Sequence, residues 1–361
     1  MIRLNCINDT KMIKLNQKEK RIINIFLQNK EMQSSDVHGK MIELGEEISL
    51  VTIKRILPKM VEKRMLVVKG GGRSTVYRLS ANGRIFAEVN AQEYLSVEPD
   101  KRYGLHGYNF DLFSSFPPEV LLKEEIEKLD KATREYKEKT KDISPVIAKK
   151  ELERLVIELS WKSSKIEGNT YTLLDTEKLI LENKPAEGKT KQETQMILNH
   201  KDAFNEAIQN KEKFKKLNYS DIEYIHSVLI KKLDISKNIR NGAIGITGTK
   251  YKPLDNSFQI KEVLQSMVDL INKKESFFEK AFLVLILISY IQVFEDGNKR
   301  TARMFSNAIL LAYNSIPLSY RIVDIEEYKK AILLFYEINN IAYIKQIFID
   351  QFEDAVNNYF N

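Results

Sequence analysis

Residues 292–303 read QVFEDGNKRTAR, and this stretch decides how the C-terminal part of the chain is interpreted. An apolar run ends at Phe294, and the polar turn that follows leads into three cations: Lys299, Arg300 and Arg303. If a helix begins near Asn298, these cations lie in its first turns, where they oppose the positive end of the helix macrodipole. Helix N-termini bind anions, so the stretch predicts a phosphate site, with Asp296 suited to holding Mg²⁺.

A second departure from helix rules lies upstream, in SSKIEGN at residues 163–169. Glu167 stands at the C-terminal end of a predicted helix that Gly168 closes, where negative charge is unfavourable. A misplaced acid and misplaced arginines suggest a pair, in which Glu167 neutralises Arg303 or Arg300 when no phosphate is bound. Taken singly, each feature is also typical of ordinary turns and helix ends.

Together, the two stretches resemble the Fic family, whose signature is His-x-Phe-x-(Asp/Glu)-Gly-Asn-(Gly/Lys)-Arg-x-x-Arg. Seven residues fall on this pattern: Phe294, Asp296, Gly297, Asn298, Lys299, Arg300 and Arg303. Upstream, three residues are similar to the family's inhibitory motif, (Ser/Thr)-xxx-Glu-(Gly/Asn): Ser163, Glu167 and Gly168. The resemblance spans residues 115–355 and includes an inhibitory helix at about 145–167.

Residues 242–253, GAIGITGTKYKP, resemble the flap along which Fic proteins align a target chain as an added strand. Four residues are assigned to this flap: Thr247, Gly248, Thr249 and Tyr251. Segment 240–256 is accordingly predicted to form a small β-hairpin in an otherwise helical body.

Fic proteins generally transfer AMP from ATP to a hydroxyl group of a target protein. The resemblance therefore implies ATP and Mg²⁺ as ligands, with Asp296 holding the metal on the α and β phosphates. The backbone amides of residues 297–300 would form an anion hole, and Arg300 and Arg303 would grip phosphates. In the inhibited state Glu167 would occupy Arg303, and Ser163 would help to position the inhibitory helix.

The first position of the signature departs from the family, because Gln292 stands where the resemblance expects histidine. A carboxamide cannot remove a proton near neutral pH, and losing a general base typically lowers a rate by about 10²–10⁴-fold. Three interpretations stay open. The chain is an enzyme that modifies an unidentified target protein slowly or with another base, a catalytically inactive nucleotide sensor, or a form substituted to trap a complex. The four histidines lie outside the signature and are expected to be surface or structurally satisfied residues: His38, His106, His200 and His226.

The N-terminal quarter carries the basic character of the chain. Residues 1–90 contain 17 basic and 9 acidic residues, a balance of +8, whereas the remaining 271 contain 40 and 41, a balance of −1. Charge asymmetry of this kind indicates contact with a polyanion such as DNA.

The same quarter has the pattern of a winged helix-turn-helix domain. Three helical segments precede two β-rich runs around Gly70-Gly71-Gly72-Arg73, which predicts a hairpin. In such domains the third helix enters the major groove, and the predicted contacts are Thr52, Lys54, Arg55, Lys59 and, on the wing, Arg73. The alternative is that these cations only solvate helix surfaces and that the domain serves protein contacts. Dimers on paired half-sites are common among such readers, which leaves a homodimer open.

The predicted fold class is mainly α, with an N-terminal winged helix (α+β) followed by an all-α core. The predicted divisions are a winged helix at 1–86, a partly packed linker at 87–118 and the Fic-like domain at 119–361. The single cysteine, Cys6, allows no intrachain disulfide, which favours a reducing cytoplasm. Residues 1–20 lack a secretory pattern, and the apolar run at 281–294 is too short to span a membrane, so no membrane partner is expected.

Overall fold

The computed structural model describes residues 15–114 and 116–360, apart from the side chain of Arg73, and Cys6 lies outside this range. The chain divides into two units, with the boundary between Val89 and Asn90. Most of the predicted linker at 87–118 therefore lies in the second unit, where it includes short helices.

The first unit has three helices followed by a β-hairpin. Its elements are α1 (Gln17–Gln28), α2 (Ser34–Glu43), α3 (Leu50–Glu62), β1 (Leu66–Lys69), β2 (Val76–Leu79) and α4 (Ala81–Ile85). A capping box begins α1, because Asn16 Oδ1 accepts the Glu19 amide at 3.0 Å and Glu19 accepts the Asn16 amide at 2.9 Å. The two strands pair antiparallel from Leu66 opposite Leu79 to Lys69 opposite Val76, which confirms the predicted hairpin.

Apolar residues at helical spacing form the core of this unit. Two from each of the first three helices are fully buried: Ile22 and Phe26, Val37 and Met41, Ile53 and Leu57. Pairs three or four residues apart lie on one face of a helix, so each helix buries one stripe and leaves the other face in solvent. For α3, the solvent face carries the residues predicted to contact DNA.

The second unit is helical. Its elements are α5 (Ala91–Ser96), α6 (Asp111–Ser114), α7 (Lys123–Thr140), α8 (Pro145–Ile166), α9 (Leu173–Glu182), α10 (Lys191–Gln209), α11 (Tyr219–Leu229), α12 (Ser257–Asn272), α13 (Phe277–Ile291), α14 (Asn298–Ala312), α15 (Ile325–Ile338) and α16 (Ala342–Asn358). The all-α core predicted from the sequence is present, so the mainly helical fold class is confirmed.

The core of the second unit surrounds α13. Every residue of this helix from Phe278 to Ile291 is buried, as expected for a helix that is apolar all round. The next helix, α14, packs along α13, and α8 and α10 pack against α14 in turn. Within the described ranges, none of the helices has both the length and the apolar character needed to cross a membrane.

The predicted β-hairpin at 240–256 is wrong, because this segment contains no paired strands. One backbone bond closes the base of the segment, since the Gly242 amide donates to the Asp255 carbonyl at 2.7 Å, whereas the Lys252 amide donates outside it, to the His106 carbonyl at 3.0 Å. Left-handed glycines, Gly242 at φ +131° and Gly248 at φ +85°, interrupt the extended geometry that a ladder requires. We refer to residues 240–256 as the flap; it is a loop closed at its base.

Candidate functional site

The turn between α13 and α14 places the signature segment, residues 292–303. Gln292 ends α13 in the left-handed region at φ +54° and ψ +61°, which reverses the chain. Gly297 precedes α14 at φ +81°, and a Cβ there would lie 3.4 Å from both Arg300 Nη2 and His226 Nε2. Conformation and space therefore both favour glycine at this position.

A cleft of about 590 Å³ opens above this turn. Four segments of the second unit line it: residues 166–168 after α8, flap residues 244–248, the signature residues 292 and 295–299, and part of α15 from Tyr328 to Tyr336. Volumes in this range accommodate small-molecule ligands and cofactors. The predicted inhibitory segment, flap and phosphate loop thus meet around one cavity.

Glu167 lies in the wall of the cleft and pairs with two cations of the signature. Arg303 Nη2 donates to Glu167 Oε1 at 2.8 Å, and Lys299 Nζ donates to Glu167 Oε2 at 2.9 Å. The Arg303 side chain is 0% exposed and that of Glu167 is 16% exposed. Burial raises the pKa of the Glu167 carboxyl, but attraction by Arg303 and Lys299 outweighs it and lowers the pKa to about 2.

Behind this pair, a chain of buried hydrogen bonds orients Arg303. Arg303 Nε donates to Ser163 Oγ at 2.9 Å, and Ser163 Oγ lies 2.9 Å from His200 Nε2. His200 Nδ1 is 2.8 Å from the Met196 carbonyl, which must accept, so Nδ1 carries the proton and Nε2 accepts from Ser163. Burial lowers the pKa of His200 to about 3, which keeps the ring neutral in this role.

Arg300 pairs within the signature rather than with Glu167. Its Nη2 donates to Asp296 Oδ2 at 2.9 Å, while its side chain is only 2% exposed and that of Asp296 is 68% exposed. Arg300 Nε and Nη1, and likewise Arg303 Nη1, are buried without a hydrogen-bond partner among the described residues. Unpaired buried donors are costly, so these guanidinium groups have capacity for a further acceptor.

The side chain of Gln292 is fully engaged by its neighbours. Its Nε2 donates to the Ser289 carbonyl at 2.5 Å and to the Tyr336 hydroxyl at 3.0 Å. Its Oε1 accepts from Asn298 Nδ2 at 3.2 Å. Both hydrogens of the carboxamide are therefore used, and its oxygen accepts one bond, so the side chain joins the end of α13 to α14 and α15.

Two positioning residues lie far from the signature in sequence. His226 stacks on Phe294 with ring centroids 3.6 Å apart, and its Nε2 lies 3.0 Å from the Asp296 carbonyl, to which it donates. Burial lowers the pKa of His226 to about 4. Arg240 Nε donates to the Gln292 carbonyl at 2.6 Å. Neither residue belongs to a recognisable motif, so no sequence signal identifies them.

The four predicted flap residues divide into two groups. Thr247 and Gly248 line the cleft, whereas Thr249 and Tyr251 do not. The buried Tyr251 hydroxyl donates to the Tyr290 carbonyl at 2.9 Å, and Thr249 Oγ1 accepts the Tyr251 amide at 3.1 Å. The second pair therefore anchors the flap to α13 and does not face a ligand.

The described residues contain no group of three or more His, Cys, Asp or Glu side chains able to hold a metal ion. Asp296 is an exposed carboxylate beside the start of α14, next to the exposed Glu295. Mg²⁺ is commonly bound by one or two carboxylates together with substrate phosphates and water, so Asp296 fits a metal that arrives with a nucleotide.

In the first unit, the exposed face of α3 forms a candidate nucleic-acid interface. Lys54, Arg55 and Lys59 are exposed, and Thr52 is half-buried, with Oγ1 3.0 Å from Ser49 Oγ at the helix cap. Val51 on the same helix is 76% exposed. Three of the predicted contacts therefore point into solvent from one helix, while the side chain of Arg73 lies outside the described part.

Comparisons with known proteins agree with this architecture. Residues 216–310 match the Fic/DOC family, and residues 15–103 match the penicillinase repressor family. The first match contains the signature, and the second covers the three helices and the hairpin. No curated protein matches the chain in sequence.

Solved structures of Fic proteins share the fold of the second unit. Fic-1 from C. elegans (residues 134–508) has a TM-score of 0.53 at 18% identity over 64% of this chain and 69% of that one. A Fic-domain signalling protein from Bacteroides thetaiotaomicron has a TM-score of 0.53 at 17% identity, over 64% of this chain and 94% of that one. A Fic family protein from Desulfovibrio desulfuricans has a TM-score of 0.55 at 20% identity, over 67% of this chain and 75% of that one. At these identities the similarity is one of fold.

Proposed function

We propose that this chain, which carries a Fic/DOC domain and a penicillinase-repressor domain, is a DNA-binding regulator whose Fic-type cleft binds ATP and Mg²⁺. One observation carries the proposal: the anion-binding groups of the signature are present, while Gln292 is committed to structural hydrogen bonds. A sensor needs the first property and has no use for a general base.

The start of α14 supports phosphate binding. The first amides of a helix lack intrahelical acceptors, and here the first two residues of α14, Asn298 and Lys299, line the cleft. The unpaired donors of Arg300 and Arg303 add charge-assisted capacity nearby. Asp296 would hold Mg²⁺ against the phosphates, which contributes charge neutralisation when the metal is bound.

The cleft offers no replacement for the missing base. Among the described residues that line it, none is a histidine. His200 and His226 do not line the cleft; burial lowers their pKa values to about 3 and about 4, and Nε2 of each ring is used in a hydrogen bond to a structural partner. Proton removal from a target hydroxyl therefore lacks a positioned acceptor.

A second candidate function is slow AMP transfer to an unidentified target protein. It is favoured by one observation: flap residues 244–248 and Asp296 line the same cleft. The backbone of this part of the flap makes no backbone hydrogen bonds among the described residues, so an extended target segment could pair with it.

We expect Glu167→Gly to tighten ATP–Mg²⁺ binding about tenfold or more, because the carboxylate occupies Arg303 and repels phosphate. Isothermal titration of the full chain with ATP and Mg²⁺ measures the change. Glu295→Gln is the matched control: this acid lines the same cleft but has no arginine partner, and we expect a change below about twofold. Equal affinities for the parent and Glu167→Gly would contradict an inhibitory role for Glu167.

We expect the double substitution Lys54→Ala with Arg55→Ala to weaken DNA binding and to reduce the slope of log affinity against log salt by about 2, since each phosphate contact contributes about 0.9. Fluorescence anisotropy with a random-sequence duplex at several salt concentrations provides the slope. The control is Lys18→Ala with Lys30→Ala, which removes the same charge from exposed positions outside α3 and the hairpin. A similar loss in the control would indicate that only net charge matters.

A further inference from the structure

A second cleft, of about 620 Å³, lies in the second unit and shares no lining residue with the first. Its walls come from α7, the first turns of α8, the end of α10 and the segment that follows α14. Half-buried apolar side chains form its floor: Leu152, Ile208 and Leu311. Tyr136 and Phe360 add aromatic surface, with their ring centroids 5.5 Å apart.

Three lysines surround this apolar floor: Lys137, Lys149 and Lys211. None of them has a carboxylate within 4.0 Å among the described residues. Other cations of this unit do form such ion pairs: Lys128, Arg154, Lys215 and Lys345. Lys211 Nζ donates to the neutral side chain of Asn314, at 2.8 Å from Oδ1. Among the described residues that line the cleft, none is acidic, so its charged lining residues are all cations.

A buried hydroxyl group adds an independent indication of a ligand. Ser315 lines the cleft and is 2% exposed, and its Oγ has no hydrogen-bond partner in the described part of the chain. A buried polar group without a partner costs free energy that a bound acceptor would recover. Its backbone is already satisfied, because the Ser315 amide donates to the Leu310 carbonyl at 3.0 Å.

We propose that this cleft binds an amphipathic organic anion, namely a carboxylate with a medium-length alkyl or aryl group. The alkyl or aryl part would cover the floor at Leu152, Ile208 and Leu311, the carboxylate would lie among the three lysines, and Ser315 would donate a hydrogen bond. The charge of the rim selects against neutral and cationic amphiphiles of the same length. This assignment does not depend on nucleotide binding.

The position of the cleft separates it from the first site. Ala148, Lys149 and Leu152 lie near the start of α8, whereas Ser163 and Glu167 lie at its end. Likewise Leu311 is at the end of α14, and the signature residues are at its start. At 1.5 Å per residue, each helix places the two clefts roughly 20 Å apart.

The test uses 8-anilinonaphthalene-1-sulfonate, a fluorescent aryl anion, with the full chain. We expect the probe to bind saturably and octanoate to displace it. Octanol should displace the probe about tenfold less well, because it lacks the interactions with the three lysines, which contribute about 0.2–1 kcal/mol each. Lys149→Glu with Lys211→Glu should weaken octanoate binding about tenfold, and Ser315→Ala about threefold. Lys150→Glu, an exposed neighbour that does not line the cleft, is the control.

Vesicles of phosphatidylglycerol distinguish a free anion from a lipid. Displacement of the probe by free octanoate but not by vesicles supports a soluble anion. Displacement by vesicles alone overturns the small-molecule assignment. Equal displacement by octanoate and octanol, or equal loss in Lys150→Glu and the double substitution, also overturns it. Thermal unfolding of each variant shows that the fold is retained. Ser315→Ala removes a hydroxyl without partners, so it should not lower stability and remains informative if the charge variants fail to fold.

Discussion

Replacing Gln292 with histidine in a Glu167→Gly background is expected to raise AMP transfer by about 10²–10⁴-fold over Glu167→Gly alone. Residue 292 lines the cleft beside Asp296, so an imidazole there would reach a hydroxyl brought by the flap. The carboxamide instead forms hydrogen bonds with Ser289, Tyr336 and Asn298. The measurement is label transfer from α-phosphate-labelled ATP to proteins of a cell lysate and to the chain itself.

The matched control is Gln292→Ala in the same background, which removes the same carboxamide contacts without supplying a base. Strong labelling by Glu167→Gly with Gln292 in place would overturn the regulator proposal and favour the enzyme. Absence of labelling in the histidine form, with ATP binding retained, would indicate that this cleft binds nucleotide without a target. Absence of ATP binding in all forms would reject the proposed function itself.

The second large effect is on stability and its dependence on pH. The pKa of Glu167 is lowered from 4.5 to about 2 in the folded chain, so its ionised form contributes about 3 kcal/mol to the free energy of unfolding. Because the folded pKa is the lower one, this contribution is present above about pH 4.5 and is lost as the pH falls toward 2. We expect Glu167→Gln to be less stable than the parent by about 3 kcal/mol at neutral pH, and the difference to shrink toward zero near pH 2.

Urea unfolding followed by the fluorescence of Trp161 measures this difference. Trp161 is the single tryptophan and lies on α8, two residues before Ser163, so it reports on the unit that contains the pair. Glu153→Gln, an exposed acid on the same helix, is the control and should change stability by less than about 0.5 kcal/mol at any pH. A constant difference between Glu167→Gln and the parent from pH 7 to pH 2 would contradict the ion pair as its cause.

The two effects oppose each other at one residue. Glu167 stabilises the fold by pairing with buried Arg303, and the same pair withholds Arg303 from a phosphate. A ligand that competes for Arg303 must therefore displace part of the interaction of Glu167 with Arg303 and Lys299, which together contribute about 3 kcal/mol. The loss of this interaction lowers the affinity of the cleft for a phosphate ligand. Removal of Glu167 should therefore lower the free energy of unfolding and raise the affinity for nucleotide.

Much of the architecture could be predicted from local pattern. The mainly helical character of the second unit follows from the helical spacing of its apolar residues, and the apolar run at residues 281–294 predicts a buried helix because none of its faces carries a charge. The hairpin of the first unit follows from two β-rich runs around glycines. The predicted flap hairpin is wrong, because the residue pattern does not show which backbone groups pair: one bond closes the base of the flap at Asp255, and the Lys252 amide donates outside the flap, to His106.

The sequence by itself determined that Glu167 at a helix C-terminus and the signature cations at a helix N-terminus are placed unfavourably with respect to the helix dipoles. It therefore indicated that both need partners of opposite charge. It also determined that position 292 carries no base, because side-chain chemistry does not depend on the fold. Only the tertiary structure decided that Glu167 pairs with Arg303 and Lys299 while Arg300 pairs with Asp296. It alone brought His226, Arg240 and Tyr336 to the signature turn. Hydrogen bonds and ion pairs depend on distances of about 3 Å between residues remote in sequence, and packing of helices around α13 sets those distances.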